Sequence, residues 1–138
     1  MKKIVSSVSV VALLILCLLA TGCQAEPVAT GIWADATYTA DTTLGEGATV
    51  LTVVVSAEDT SITFTINTDK ETVGAALLEH NLIGGDDGMY TVVNGMTADW
   101  NVDQTYWAFY ENDAYANQGM DTTAITAGVT YKLERTAG

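Results

Sequence analysis

The sequence predicts a small α+β domain of two layers, one helix packed on a mixed or antiparallel sheet. Three observations predict it. Residues 61–67 alternate, with Ile62, Phe64 and Ile66 on one face and Ser61, Thr63, Thr65 and Asn67 on the other. That period of two marks a half-buried strand. Residues 73–80 change period: Val73, Ala76, Leu77 and His80 stand at i, i+3, i+4 and i+7, the stripe of one helix face. Residues 129–135 alternate again, with Val129, Tyr131 and Leu133 facing inward.

The elements follow in order. Lys2 and Lys3 precede an apolar run over residues 8–20 and the segment Ala20-Thr21-Gly22-Cys23. This is the form of a secretory signal, and its apolar part is too short to remain as a membrane-spanning helix. The Ala-Thr-Gly-Cys ending resembles the lipobox of bacterial lipoproteins, with Ala20 where leucine is usual. The resemblance implies cleavage before Cys23 and a diacylglycerol on its sulfur. The alternative is ordinary signal cleavage with Cys23 left free. The expected organisation is a signal peptide at 1–22, a lipidated tether at 23–35 and one domain at 36–138, held on the outer face of the bacterial cell membrane. Cys17 would leave with the signal, and Cys23 alone cannot form an intrachain disulfide.

Residues 36–40 could form an extra edge strand, and Leu44-Gly45-Glu46-Gly47 signals a turn. Residues 49–56 are rich in valine and threonine and read as a strand, joined to 61–67 by a turn at 57–60. Thr72 is a candidate N-cap for the helix, and Thr68 with Glu71 also fits a capping box. The helix should end by Asn81, and residues 84–88 (Gly-Gly-Asp-Asp-Gly) read as a loop. A strand is expected at 89–93 with a tight turn at Asn94-Gly95. An aromatic strand follows at 105–111, then a loop over 112–127, then the last strand. Hairpin, helix and further strands in this order match the β-grasp arrangement, in which the chain returns parallel to the first strand of the hairpin.

Composition excludes some functions. After residue 22 the chain keeps Lys70, Lys132 and Arg135 against 17 acidic residues, so 3 − 17 gives −14. Nucleic-acid binding needs a basic footprint, and polybasic attachment to anionic lipid needs one too. His80 is the single histidine, and it stands on the apolar helix face. No second histidine or mature cysteine accompanies it for a zinc or haem site, and Asp86-Asp87 lacks the spacing of a calcium loop. No nucleophile elbow or phosphate loop is present. The expectation is a protein that is not an enzyme, with no catalytic residues, no metal site and no intrinsic cofactor.

In the aromatic strand, Trp107 and Phe109 point to one face and Tyr106 and Tyr110 to the other. One set should be core; the other could form an aromatic floor for a ligand. From about residue 49 to 135 the chain resembles the bacterial DUF4430 family, the transcobalamin-C-terminal-like domain. The resemblance rests on Thr72-Val73-Gly74-Ala75-Ala76-Leu77-Leu78, Leu82-Ile83-Gly84, Gly88-Met89-Tyr90, Val93-Asn94-Gly95, Tyr106-Trp107-Ala108-Phe109-Tyr110 and Ala116-Asn117-Gln118-Gly119-Met120. It implies a β-grasp-like domain binding a soluble ligand, with cobalamin or another corrinoid as the named candidate. It places Trp107, Tyr106 and Phe109 on the ligand side with Asn117, Gln118 and Gly119. The alternative is that Trp107 anchors the core and the loop merely connects. The Tyr-Trp-x-Phe segment and the Gln-Gly loop are also similar to the C-terminal domain of animal intrinsic factor and transcobalamin, which hold cobalamin between two domains, and the helical one has no counterpart here. A second copy or a partner, such as a transporter, would complete the site. A different reading is a non-catalytic module that binds a protein or the cell wall, through a strand added at the edge near residues 36–42.

Overall fold

The computed structural model describes residues 29–86 and 89–138. The signal segment and the lipidation site Cys23 lie outside the described residues, as do Asp87 and Gly88. Among the described residues, nine strands form two sheets. The larger sheet contains β1 (Thr42–Leu44), β2 (Thr49–Ala57), β3 (Thr60–Thr68), β7 (Thr105–Glu111), β8 (Ala114–Tyr115) and β9 (Thr130–Ala137) in the order β1-β3-β2-β9-β7-β8. The smaller contains β4 (Ile83–Asp86), β5 (Met89–Val93) and β6 (Met96–Thr97). Helix α1 (Val73–Glu79) and the one-turn α2 (Trp100–Asp103) complete the list, with 3-10 turns at Gly31–Asp35 and Met120–Thr122.

This is the small two-layer, β-grasp-like α+β domain that the periodicities predict. β2 and β3 form an antiparallel hairpin, and β9 returns between β2 and β7, parallel to β2 and antiparallel to β7. The inward positions of the sheet fill the core: Val53, Phe64 and Ile66 are fully buried, and Tyr131 and Leu133 nearly so. The second layer covers them with Val73, Ala76 and Leu77 from α1 and with Val93 and Met96 from the small sheet. A seven-residue helix is too short to stand alone in water, so this buried stripe holds it. Thr72 is the N-cap: its hydroxyl accepts from the Ala75 amide at 3.3 Å. Thr68 does not cap; its hydroxyl donates to Glu79 at the other end of the helix.

Three expectations are corrected. The added edge strand is at Thr42–Leu44 and pairs parallel to β3; residues 36–40 form no strand. Asp41 fixes it there, accepting from the Thr63 amide at 2.8 Å. Residues 83–86 are a strand, paired to β5 with an irregularity at Gly84/Gly85. Glycines suggested a loop there, but a bulge uses the same freedom. Residues 31–35 fall within the expected tether. Trp33 instead enters the core, only 6% exposed, with its indole N–H on the Ala57 carbonyl at 2.8 Å.

Asn94-Gly95 makes the expected tight turn between β5 and β6, with φ of 52° and 82°. Asn94 is also completely buried. Its side-chain oxygen accepts from the Tyr38 amide at 2.9 Å, and its amide nitrogen donates to the Tyr38 carbonyl at 2.8 Å. Its own carbonyl accepts from the Thr37 amide and its amide donates to Leu82. One residue therefore ties the small sheet to the N-terminal segment and to the end of α1. Replacing Asn94 by alanine strands the Tyr38 backbone without partners and should cost roughly 2–4 kcal/mol in urea unfolding. Asp59→Gly, at an exposed turn position with φ of 64°, should stay within about 0.5 kcal/mol.

Candidate functional site

The site starts from β7. Phe109 is 9% exposed and stacks on Tyr131, ring centroids 5.9 Å apart and 15° between planes. Trp107, on the same face, is only half-buried. Its indole N–H donates to the Thr91 carbonyl of β5 at 3.2 Å, joining the two sheets. Beside it lies an open hollow of about 330 Å³. The β7 wall supplies Thr105, Tyr106, Trp107 and Phe109; β5 supplies Met89, Tyr90 and Thr91; Ala98, Trp100, Gly119 and Met120 close the ends.

Tyr106 and Trp107 are neighbours in a strand, so their side chains leave opposite faces. Both reach one hollow because it lies off the edge of β7 rather than over either face. That edge is open at residues 105–107, since β8 pairs only with Tyr110 and Glu111. Phe109 reaches the hollow as well, although most of its ring is core.

Asn117 and Gln118 are not brought to this hollow. They line a separate shallow depression with Glu111, Thr123, Ala124 and Thr126. Gly119 does reach the hollow, with φ of −68° and nothing within 4 Å of where a Cβ would stand. Its role there is open space, and no left-handed backbone requires it.

The lining residues beyond the expected ones include four large side chains, Met89, Tyr90, Trp100 and Met120. Met89 is 75% exposed and Trp100 53%, which is unusual for large apolar side chains and marks the rim. Trp100 sits on α2, whose N-cap Asp99 accepts from the Asn101 amide at 2.9 Å. Its ring tilts against Tyr106 at 6.3 Å. Only the isolated exposure of Trp100 between Asp99 and Asn101 could have hinted at this from sequence.

The electrostatics are one-sided. Among the described residues, no lysine or arginine lines the hollow. The Tyr90 hydroxyl donates to Asp121 at 2.5 Å. Asp121 is placed by close packing of α1: a Cβ on Gly74 would collide with it. Burial, then the Asp121 carboxylate, push the Tyr90 phenol up to about 12. At the base of β7, Asp103 accepts from the Thr105 hydroxyl and forms an ion pair with Arg135 at 2.7 Å. The Thr105 hydroxyl first, then the Arg135 guanidinium, hold its carboxyl below the usual range.

His80 caps the end of α1, its Nε2 buried and 3.9 Å from Glu79. Among the described residues no three His, Cys, Asp or Glu side chains gather to hold a metal ion. No helix among them is long and apolar enough to cross a membrane.

No family model matches the chain, and no curated protein does. Among solved structures, a protein of Ruminococcus gnavus, named as a candidate metal-binding protein, is 28% identical with a TM-score of 0.61. The match covers 66% of this chain and 99% of that one. Haptocorrin in complex with Cbi is 17% identical with a TM-score of 0.44, covering 64% of this chain and 25% of that one. The fold is shared with the first of these over nearly its whole length.

The phenol of Tyr90 gives a direct check. A folded value raised above 10 means stability present below pH 10 that is lost as pH rises toward 12. In alkaline ultraviolet titration, the difference between the parent and Tyr90→Phe should show a phenolate appearing near pH 12. Asp121→Asn should move that transition down, toward 10.

Proposed function

We propose that this domain captures a soluble small ligand in the hollow beside Trp107, outside the cell, while lipid on Cys23 holds it to the membrane. The observation that carries the reading is the half-buried indole of Trp107 at an open hollow of about 330 Å³. A small-molecule site is typically of this size or larger, mostly apolar, with a few directed polar groups. Here the polar groups are the Thr91 carbonyl and the Tyr90–Asp121 pair. The aromatic walls favour a flat ligand, and the absence of lining cations disfavours an anion. The resemblance to the DUF4430 family makes a corrinoid the candidate to test first, for delivery to an uptake system.

The similarity to a protein named for metal binding fits this reading in one specific way. The described residues offer no donor cluster for a free ion. A metal already held by an organic macrocycle would need none. A corrin ring exceeds the hollow, so it would lie half outside, and a partner or second copy would cover the rest.

Purified protein incubated with cobalamin and desalted should keep a red chromophore and unfold at a higher temperature. Gly119→Leu, which adds a side chain where a Cβ has open space, should retain parental stability within about 0.5 kcal/mol and lose at least tenfold in retention. A colourless parent with no thermal shift overturns the corrinoid reading.

A further inference from the structure

We infer that the open edge of β7 beside Trp107 receives an extended segment of a partner protein, added as a further strand and carrying basic side chains. The direction of the backbone groups is the first argument. The Phe109 carbonyl accepts from the Ala116 amide at 3.0 Å, on the side away from β9. In an antiparallel pair, the N–H and C=O of one residue point to the same side, and residues two apart point alike. The N–H and C=O of Trp107 and the C=O of Thr105 therefore point off the same edge. The Thr105 amide is already taken, by Asp103 at 3.2 Å.

No strand among the described residues occupies this edge. β8 reaches only Tyr110 and Glu111, and β9 holds the opposite side. The Phe109 N–H likewise has no backbone acceptor there. From Thr105 to Phe109 the edge thus offers acceptor, donor, acceptor and donor over about 14 Å, the reach of four or so extended residues. An extended peptide supplies the complementary groups at the same spacing. Its alternate side chains would leave both faces, meeting Trp100 and Tyr106 on one and Trp107 and Met120 on the other, all of which line the hollow.

Charge fixes the type of partner. Asp99 and Asp103 precede the edge, Glu111 and Asp113 follow it, and Asp121 stands across the hollow. Of these, Asp103 is paired with Arg135 and Asp113 stands within electrostatic reach of Lys132. The chain carries a net charge of −12. A basic segment is attracted and an acidic one repelled. A second copy is disfavoured by the same charge and by sterics. Antiparallel pairing centred on Trp107 would set Gln104 of one copy opposite Tyr110 of the other, where Tyr115 already pairs. The outer edge of β1 is also unpaired, but it is three residues long and has no aromatic hollow beside it. The inference goes beyond the small-ligand reading: the added strand would form the missing wall of the half-open site.

The test uses a capped seven-residue peptide of alternating valine and lysine, titrated to millimolar concentration into isotopically labelled protein. The Trp107 and Phe109 amides should shift, and their hydrogen exchange should slow at least tenfold. N-methylation of the peptide on residues facing β7 should abolish this, whereas methylation on the intervening residues should preserve it. A valine–glutamate peptide should bind at least tenfold more weakly. Unresponsive Trp107 and Phe109 amides, equal binding of both methylated peptides, or shifts confined to Thr42–Leu44 would overturn the inference. Cobalamin retention by the same sample is read separately. Retention with unresponsive amides leaves the ligand reading standing, and protected amides without retention leave only the strand reading.

Discussion

The structure depends on the last strand entering the middle of its sheet. Within the sheet, among the described residues, β9 alone links the hairpin half, β1 to β3, to the aromatic half, β7 and β8. Without it, Val53 and Val55 lose the neighbours Tyr131 and Leu133, and Phe109 loses the ring it stacks on. Because β2 and β9 are some 80 positions apart by their register, Val53 to Tyr131, the loop between them must be closed before this pairing contributes. The small sheet, α1 and Asn94 are how that intervening chain is kept compact over the core.

The same insertion explains the site. β9 takes one side of β7 along its whole length, Thr105 to Glu111. What could cover the other side is the chain after β7, but the turn at Asn112-Asp113 sends it back for only two paired residues. It then leaves for the 3-10 turn at Met120–Thr122, which docks on α1 through Gly74 and Asp121. The early part of β7 is left beside β5 with a gap between them. The hollow is thus a consequence of a short β8 and of Asp121 being held elsewhere.

Much of the fold was legible because it is written in periods. Ile62, Phe64 and Ile66 could not face the core together in any other element, and Val73, Ala76 and Leu77 needed a helix. Tight turns at Asn94-Gly95 and at residues 57–60 were legible from composition, although Glu58 and Asp59 adopt positive φ without glycine. Short elements were not legible. β1, β4 and α2 have three or four residues each, too few for a period to show. They exist because of tertiary partners: Asp41 on Thr63, β5 beside Gly84, and Arg135 on Asp103 of α2.

The candidate site was legible only as an aromatic strand. Alternation assigns each side chain to a face, and on that basis Tyr106 and Trp107 should not share a ligand. They share a hollow because strand edges expose both faces at once, and which edge is free depends on pairing that no local pattern encodes. The family resemblance groups Asn117 and Gln118 with Trp107 and Gly119. The backbone turns between Gln118 and Gly119, so the amides face one depression and the glycine another. An exposed aromatic edge would ordinarily invite aggregation. Here the free stretch is short, α2 and β8 stand at its two ends, and aspartates and a glutamate flank it. Those features block a second copy of this chain more than they block a slender, positively charged segment. The edge is therefore guarded against itself while remaining open to a partner of opposite charge.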